Sequence, residues 1–182
     1  SLASFELFHL GKRLDERNWP TQKVKYLAAR LFLEPGRPLS EDVLIDDFWA
    51  GEMEKGRRNL GWCLTQLRKI LRELLGGSIT VTRRGNAVGL TSSGPFWHDV
   101  DQLNRLLDRV DQGEMATDLW SKLLTLYRGN YLPEHYGDWA VAFRERLESR
   151  IGSTLTAAIQ DSSTLSNPLK AEVAHRLLDL DP

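Results

Sequence analysis

One cysteine stands among 182 residues, Cys63, so no internal disulfide can form and the sequence fits a reducing compartment. Long hydrophobic runs are missing too. None approaches the roughly 20 residues that span a bilayer, and no apolar h-region leads into a small-residue cleavage site. These absences set the expectation of a cytoplasmic chain with no membrane partner. Catalytic signatures are equally scarce: there is no glycine-rich phosphate loop, no nucleophile-base-acid set and no spacing of metal ligands. The expectation is a protein that is not an enzyme and needs neither cofactor nor metal. Cys63 lacks the base and electropositive pocket of a reactive thiol, since the pattern ties none of His9, His98, His135 and His175 to it. The HDVD stretch at 98–101 holds too few ligands for a metal site, and Asp99 there reads as a helix cap.

A dominant charge is absent as well, with a net charge of −1. The total hides an asymmetry. Residues 1–95 carry 15 Lys and Arg against 11 Asp and Glu, whereas residues 96–182 carry 9 against 14. A mildly basic half followed by an acidic half implies two domains with different partners. The charge of the first half is too small to establish nucleic-acid binding unaided.

What is present is hydrophobic periodicity. SFELFHLGKRL (4–14) has strand-compatible residues with Gly11 as a break, and DERN (15–18) is a polar turn. In TQKVKYLAARLFLEP, Thr21 can cap a helix whose Val24, Leu27, Ala28, Leu31 and Phe32 have helical spacing, and Pro35-Gly36 ends it. LSEDVLIDDFW opens with Ser40 as N-cap. A third helix runs from about Glu54 to Leu75, where Gly76-Gly77 stops it. SITVTRRGNAVGL (78–90) alternates and turns at 83–86, giving a hairpin with Arg83 and Arg84 near its tip. Strands, three helices and a basic hairpin, in that order, form the layout of a winged helix-turn-helix over residues 1–92.

TSSGP (91–95) reads as a linker, and beyond it the pattern is helical. Val100, Leu103, Leu106, Leu107 and Val110 form one stripe; Leu119, Leu123, Leu124 and Tyr127 form the next. RGNYLPEHYGDW is a loop, in which Tyr131, Tyr136 and Trp139 read as an aromatic core. A long helix follows from Trp139 to about Ile159, and another begins at Pro168. The expected fold is mainly α with small β elements: a winged helix-turn-helix, then an all-α, TPR-like domain over 96–182. The chain stops at LDLDP, where helical-repeat proteins turn into a next helix, so a fragment of a longer protein is expected. Phe96 and Trp97 directly follow the linker and are expected to be buried between the two domains.

The third helix has two faces. With Leu60 at zero and 100° per residue, Leu64, Leu67, Leu71 and Leu74 fall within about 40° of it. The opposite face carries Lys55, Arg58, Trp62, Thr65, Gln66 and Lys69, a basic and hydrogen-bonding surface with an indole in its middle.

LEPGRPLSEDVLIDDFW followed by RNLGWCLTQLRKIL resembles the DNA-binding domain of SARP-type transcriptional regulators, which share the OmpR-type winged helix. The W-x-x-Q-K spacing from Trp19 to Lys23 fits the same domain. WHDVDQLNRLLDR and LYRGNYLPEHYGDWAVAFRERL resemble the bacterial transcriptional activator domain that follows it, and RLLDLDP resembles the start of that domain's helical-repeat region. The resemblance implies a bacterial DNA-binding regulator in which the 54–75 helix enters the major groove and the 83–86 turn reaches the flanking minor groove. It implies that Arg58, Trp62, Thr65, Gln66 and Lys69 face DNA. In that family the hairpin usually returns through a glycine-tyrosine-arginine strand, and here the sequence is GNAVGL.

The chemistry suits such a surface. Arg58 can fork onto guanine or a phosphate, Gln66 can pair with adenine, Thr65 can meet a base or a thymine methyl, and Lys55, Lys69 and Arg72 suit phosphates. Trp62 admits three readings: an apolar groove contact, a protein contact, or packing on a loop. The first functional expectation is a sequence-specific DNA-binding transcriptional regulator of the activator kind. Its partners would be double-stranded DNA, RNA polymerase and a second copy on DNA. The alternative is a protein-protein interaction adaptor whose winged helix no longer reads DNA.

Overall fold

The computed structural model describes residues 5–9, 12–114, 116–127, 129–160 and 165–180. Ser4, Leu10, Gly11, Arg128 and the closing Asp181-Pro182, which the motifs quoted from the sequence include, lie outside the described residues. The chain divides into two compact units. Phe5–Phe96 with Gly137–Trp139 forms the first, and Trp97–Tyr136 with the chain from Ala140 onward forms the second. Both are mainly helical, and the first also holds two small antiparallel sheets, of two and three strands.

In the first unit, β1 (Phe8–His9) pairs with β2 (Lys12–Arg13), and a 3-10 turn follows over Glu16–Asn18. Helix α1 (Gln22–Leu33) starts where expected, because the Thr21 hydroxyl accepts from the Val24 N–H at 3.3 Å. Helix α2 (Glu41–Trp49) is capped by Ser40, whose Oγ accepts from the Val43 N–H at 3.2 Å. Lys23 of α1 donates to the Phe48 carbonyl (2.8 Å) at the end of α2, where a cation is favoured by the helix dipole.

Helix α3 (Met53–Leu75) is the longest element of the unit. Its Leu60, Leu64, Leu67 and Leu71 are almost wholly buried. They meet Val24, Leu27 and Leu31 of α1, Leu44 and Ile45 of α2, and the apolar side chains of the hairpin in one cluster. The hairpin is β4 (Ile79–Arg84) and β5 (Ala87–Ser92), joined by Gly85-Asn86. Gly85 has φ 59°, the left-handed region that glycine enters without a Cβ clash.

Three details differ from what the sequence pattern predicts. Leu39–Ser40 forms a third strand, β3, paired with β5 through Leu39 and Val88. A two-residue strand has no period to read. Strand β5 also takes in Thr91 and Ser92, which by composition belong to the linker; Thr91 pairs with Thr80, and their hydroxyls lie 2.9 Å apart. Arg83 and Arg84 belong to β4, so the turn itself is only Gly85-Asn86.

The second unit consists of α4 (Asp99–Asp111), α5 (Thr117–Leu126), most of α6 (Asp138–Gln160) and α7 (Asn167–Leu180). Leu103, Leu107, Trp120, Leu123, Ile151, Leu155 and Val173 are buried in it. Asp99 is the first helical residue of α4 rather than its cap, and its Oδ1 accepts from the Val100 N–H at 2.8 Å. Arg150 ties α6 to α4 through Asp108 (2.6 Å) and Asp111 (2.7 Å). Arg144 organises the loop before α6 by donating to the carbonyls of Tyr131 (3.0 Å) and Leu132 (2.7 Å). The aromatic trio expected there is not complete, because Tyr136 is 81% exposed. Tyr131 packs edge-on against Phe143, Tyr136 is open to solvent, and Trp139 is buried but groups with the first unit. Among the described residues no helix is long and apolar enough to cross a membrane.

The crossing of α2 and α3 depends on Gly56. A Cβ built there would stand 2.6 Å from Ile45 Cγ2 and 3.1 Å from Trp49 Cβ, and Ile45 is branched and buried. Gly61 on the same helix has open space around its Cα. Both substitutions to Ala gain helix propensity of about 1 kcal/mol, but at Gly56 overpacking costs about 1–3 kcal/mol. Gly56→Ala is therefore expected to lower the denaturation midpoint and Gly61→Ala to raise it. A Gly56→Ala midpoint raised as much as that of Gly61→Ala would show that α2 and α3 are not in close contact there.

Candidate functional site

Burial of the leucine seam fixes the rotation of α3 about its axis, and so decides what it shows to solvent. Lys55, Arg58, Trp62, Thr65 and Lys69 are exposed and Gln66 is half-buried, so all six residues expected on this face from the sequence share the open side of the helix. Arg72, one turn from the end, is exposed as well. These side chains differ in how far they are already committed. Lys55 is 2.9 Å from Glu52, Lys69 stands 4.0 Å from Glu73, and the Thr65 hydroxyl donates to the Gly61 carbonyl (3.0 Å). Arg58, Gln66 and Arg72 have no side-chain hydrogen bond or ion pair among the described residues. Trp62 stands among them with 47% of its surface exposed.

The hairpin separates its two arginines. Arg84 is exposed and makes no ion pair among the described residues. Arg83 is turned to Glu41, the first residue of α2. Its Nε donates to one carboxylate oxygen and its second terminal nitrogen to the other at 2.7 Å. Glu41 is 3% exposed, and its carboxylate raises the Arg83 guanidinium further above its ordinary pKa by accepting those bonds. The Glu41 N–H donates to the Asn86 carbonyl (2.8 Å), and Asn86 Nδ2 donates to Asp42 (3.0 Å). The hairpin tip is thus clamped to the start of α2. Arg68 adds a bond from α3 to the Val81 carbonyl of β4 at 3.1 Å. Sequence reasoning missed Glu41, Asn86 and Arg68 as positioning residues. Arg83 and Glu41 lie 42 residues apart, and no local pattern links them.

The remaining candidates from the sequence fall elsewhere. Cys63 is buried on the seam side of α3, and burial pushes its thiol pKa up, away from thiolate chemistry. Phe96 packs edge-on against Phe32 at 6.1 Å, within the first unit. Trp97, the first residue of the second unit, is 65% exposed. An open groove of 690 Å³ in the second unit has walls of Ser149, Ser153, Ala157 and Ala158, and its Arg150 is already engaged by two aspartates. Burial of Tyr127 in that unit pushes its phenol up to about 12, so it stays neutral.

No protein-family model matches this chain, and no curated protein matches it.

The two hairpin arginines should behave differently when removed. Arg83→Ala leaves the buried Glu41 carboxylate without its cation and should lower stability by about 1–3 kcal/mol. Arg84→Ala should stay within about 0.5 kcal/mol of the parent, as for an unengaged surface residue. Urea unfolding of the two variants checks this, and equal stabilities would mean that the Glu41 clamp carries no net energy.

Proposed function

We propose that this chain is a sequence-specific DNA-binding transcriptional regulator of the winged helix-turn-helix kind. In this reading α2 and α3 form the helix-turn-helix, α3 enters the major groove, and the β4–β5 hairpin is the wing. The helical second unit is the activator domain, TPR-like in kind, that contacts RNA polymerase or a second copy. The resemblance of LSEDVLIDDFW and LYRGNYLP to SARP-type regulators supports the reading.

One observation carries it: the open side of α3 holds Arg58, Gln66 and Arg72 without partners among the described residues, on a helix whose other side is buried. An unengaged arginine can fork onto guanine O6 and N7, and glutamine onto adenine N6 and N7. Arg72 and Arg84 supply charge for phosphates, where most affinity for DNA arises. The clamp through Glu41 refines the role of the hairpin. Arg83 has its charge met within the fold, which leaves Arg84 as the wing cation that reaches a phosphate or the minor groove. The same clamp is the observation that favours the adaptor alternative, since it removes one positive charge from the wing.

Binding to selected and random duplexes tests the reading. Arg58→Ala and Gln66→Ala should each weaken the selected duplex by about 1–3 kcal/mol and the random one far less. Arg84→Ala should weaken both by similar factors and make the salt dependence shallower, as expected for a phosphate contact. Affinity unchanged in all three variants would remove α3 and the hairpin from DNA reading and leave the adaptor.

A further inference from the structure

The indole of Trp62 has no obvious place on a hydrated helix face. It is 47% exposed, and its neighbours on the open side of α3 are polar: Arg58 one turn before, Thr65 and Gln66 one turn after, Lys69 two turns after. The indole is therefore a single apolar group set among cations and hydrogen-bonding groups. A protein partner covering it would also have to cover Arg58 and Lys69 and match their charge. A duplex does so with phosphates on both sides of the groove.

Inside the major groove, bases present donors and acceptors, with one apolar exception, the C5-methyl of thymine. We propose that Trp62 is a specificity-determining residue that packs on a thymine methyl. This rests on the reading of α3 as the helix that enters the major groove. Four residues along a helix rise about 6 Å, and base pairs are about 3.4 Å apart. Measured along the inclined groove the spacing is somewhat larger, so the thymine lies about one to two base pairs from the pair met by Arg58, on the side of it toward the pair met by Gln66. In this reading Arg58, Trp62 and Gln66, each about one helical turn from the next, meet the groove in that order.

The test begins with selection of duplexes from a random pool by the full chain. Each thymine of the enriched duplex is then replaced singly by deoxyuridine, which removes only the methyl. At one thymine the parent should lose about fourfold in affinity, which is the ~0.8 kcal/mol of one buried carbon at 1.4 kcal/mol per tenfold. Trp62→Ala should bind the thymine and uracil duplexes equally, while its thermal unfolding stays at the parent's, since the side chain is on the surface. An enriched duplex to which the parent is indifferent at every thymine overturns the role of Trp62 alone, as does a Trp62→Ala variant that still discriminates. A pool from which nothing is enriched overturns the groove reading of α3, and the inference with it.

Discussion

The apolar seam of α3 is the constraint from which the first unit is built. Four leucines at helical spacing, each almost fully buried, are worth about 1.5–3 kcal/mol apiece in transfer from water. Turning the helix by a single residue would move that seam by 100° and expose it. The seam thus sets the rotation of α3 with little tolerance, and α1, α2 and the hairpin supply the apolar surface that it requires. The orientation of the opposite face is not separately encoded. Arg58, Trp62 and Lys69 point outward because Leu60, Leu64 and Leu71 must point inward.

A second constraint acts on the hairpin, and it is polar. The sheet has three strands, one of them only two residues long, so beyond β3 it is a single hairpin, which is marginally stable by itself. It is held by Val81, Val88 and Leu90 in the core, and at its tip by the bonds among Arg83, Glu41, Asn86 and Asp42. Glu41 serves two ends at once. A carboxylate in the first turn of α2 is favoured by the helix dipole, and the same carboxylate receives the arginine from β4. The tip is therefore positioned by the helix preceding α3, and the Arg68 bond to Val81 links the hairpin to α3 itself.

Elements with a long period or a local cap were legible in the sequence. The seam of α3 announces itself over four turns, and the caps at Thr21 and Ser40 act within three residues of their own position. The alternation of Ile79 and Val81 around a glycine turn likewise pointed to a hairpin. What was not legible depends on residues distant in the chain. Arg83 looks like any turn cation until Glu41 is brought beside it. Strand β3 is two residues long and exists because β5 has a free edge. Tyr136 reads as core by residue type, yet the Arg144 bonds shape the loop so that Tyr131 turns in and Tyr136 turns out. Of the proposed site, the face of α3 was visible beforehand; the unequal roles of Arg83 and Arg84 were not.

The distribution of tryptophans has an optical consequence. Trp19, Trp49, Trp120 and Trp139 are each at most 8% exposed, whereas Trp62 and Trp97 stand open. Collisional quenchers dissolved in water reach only indoles on the surface. The quenchable share of the intrinsic fluorescence therefore comes from one indole on the open side of α3 and one at the start of the second unit. With Trp97 changed to phenylalanine, that share becomes a built-in reporter of whatever covers α3, with no dye or label attached.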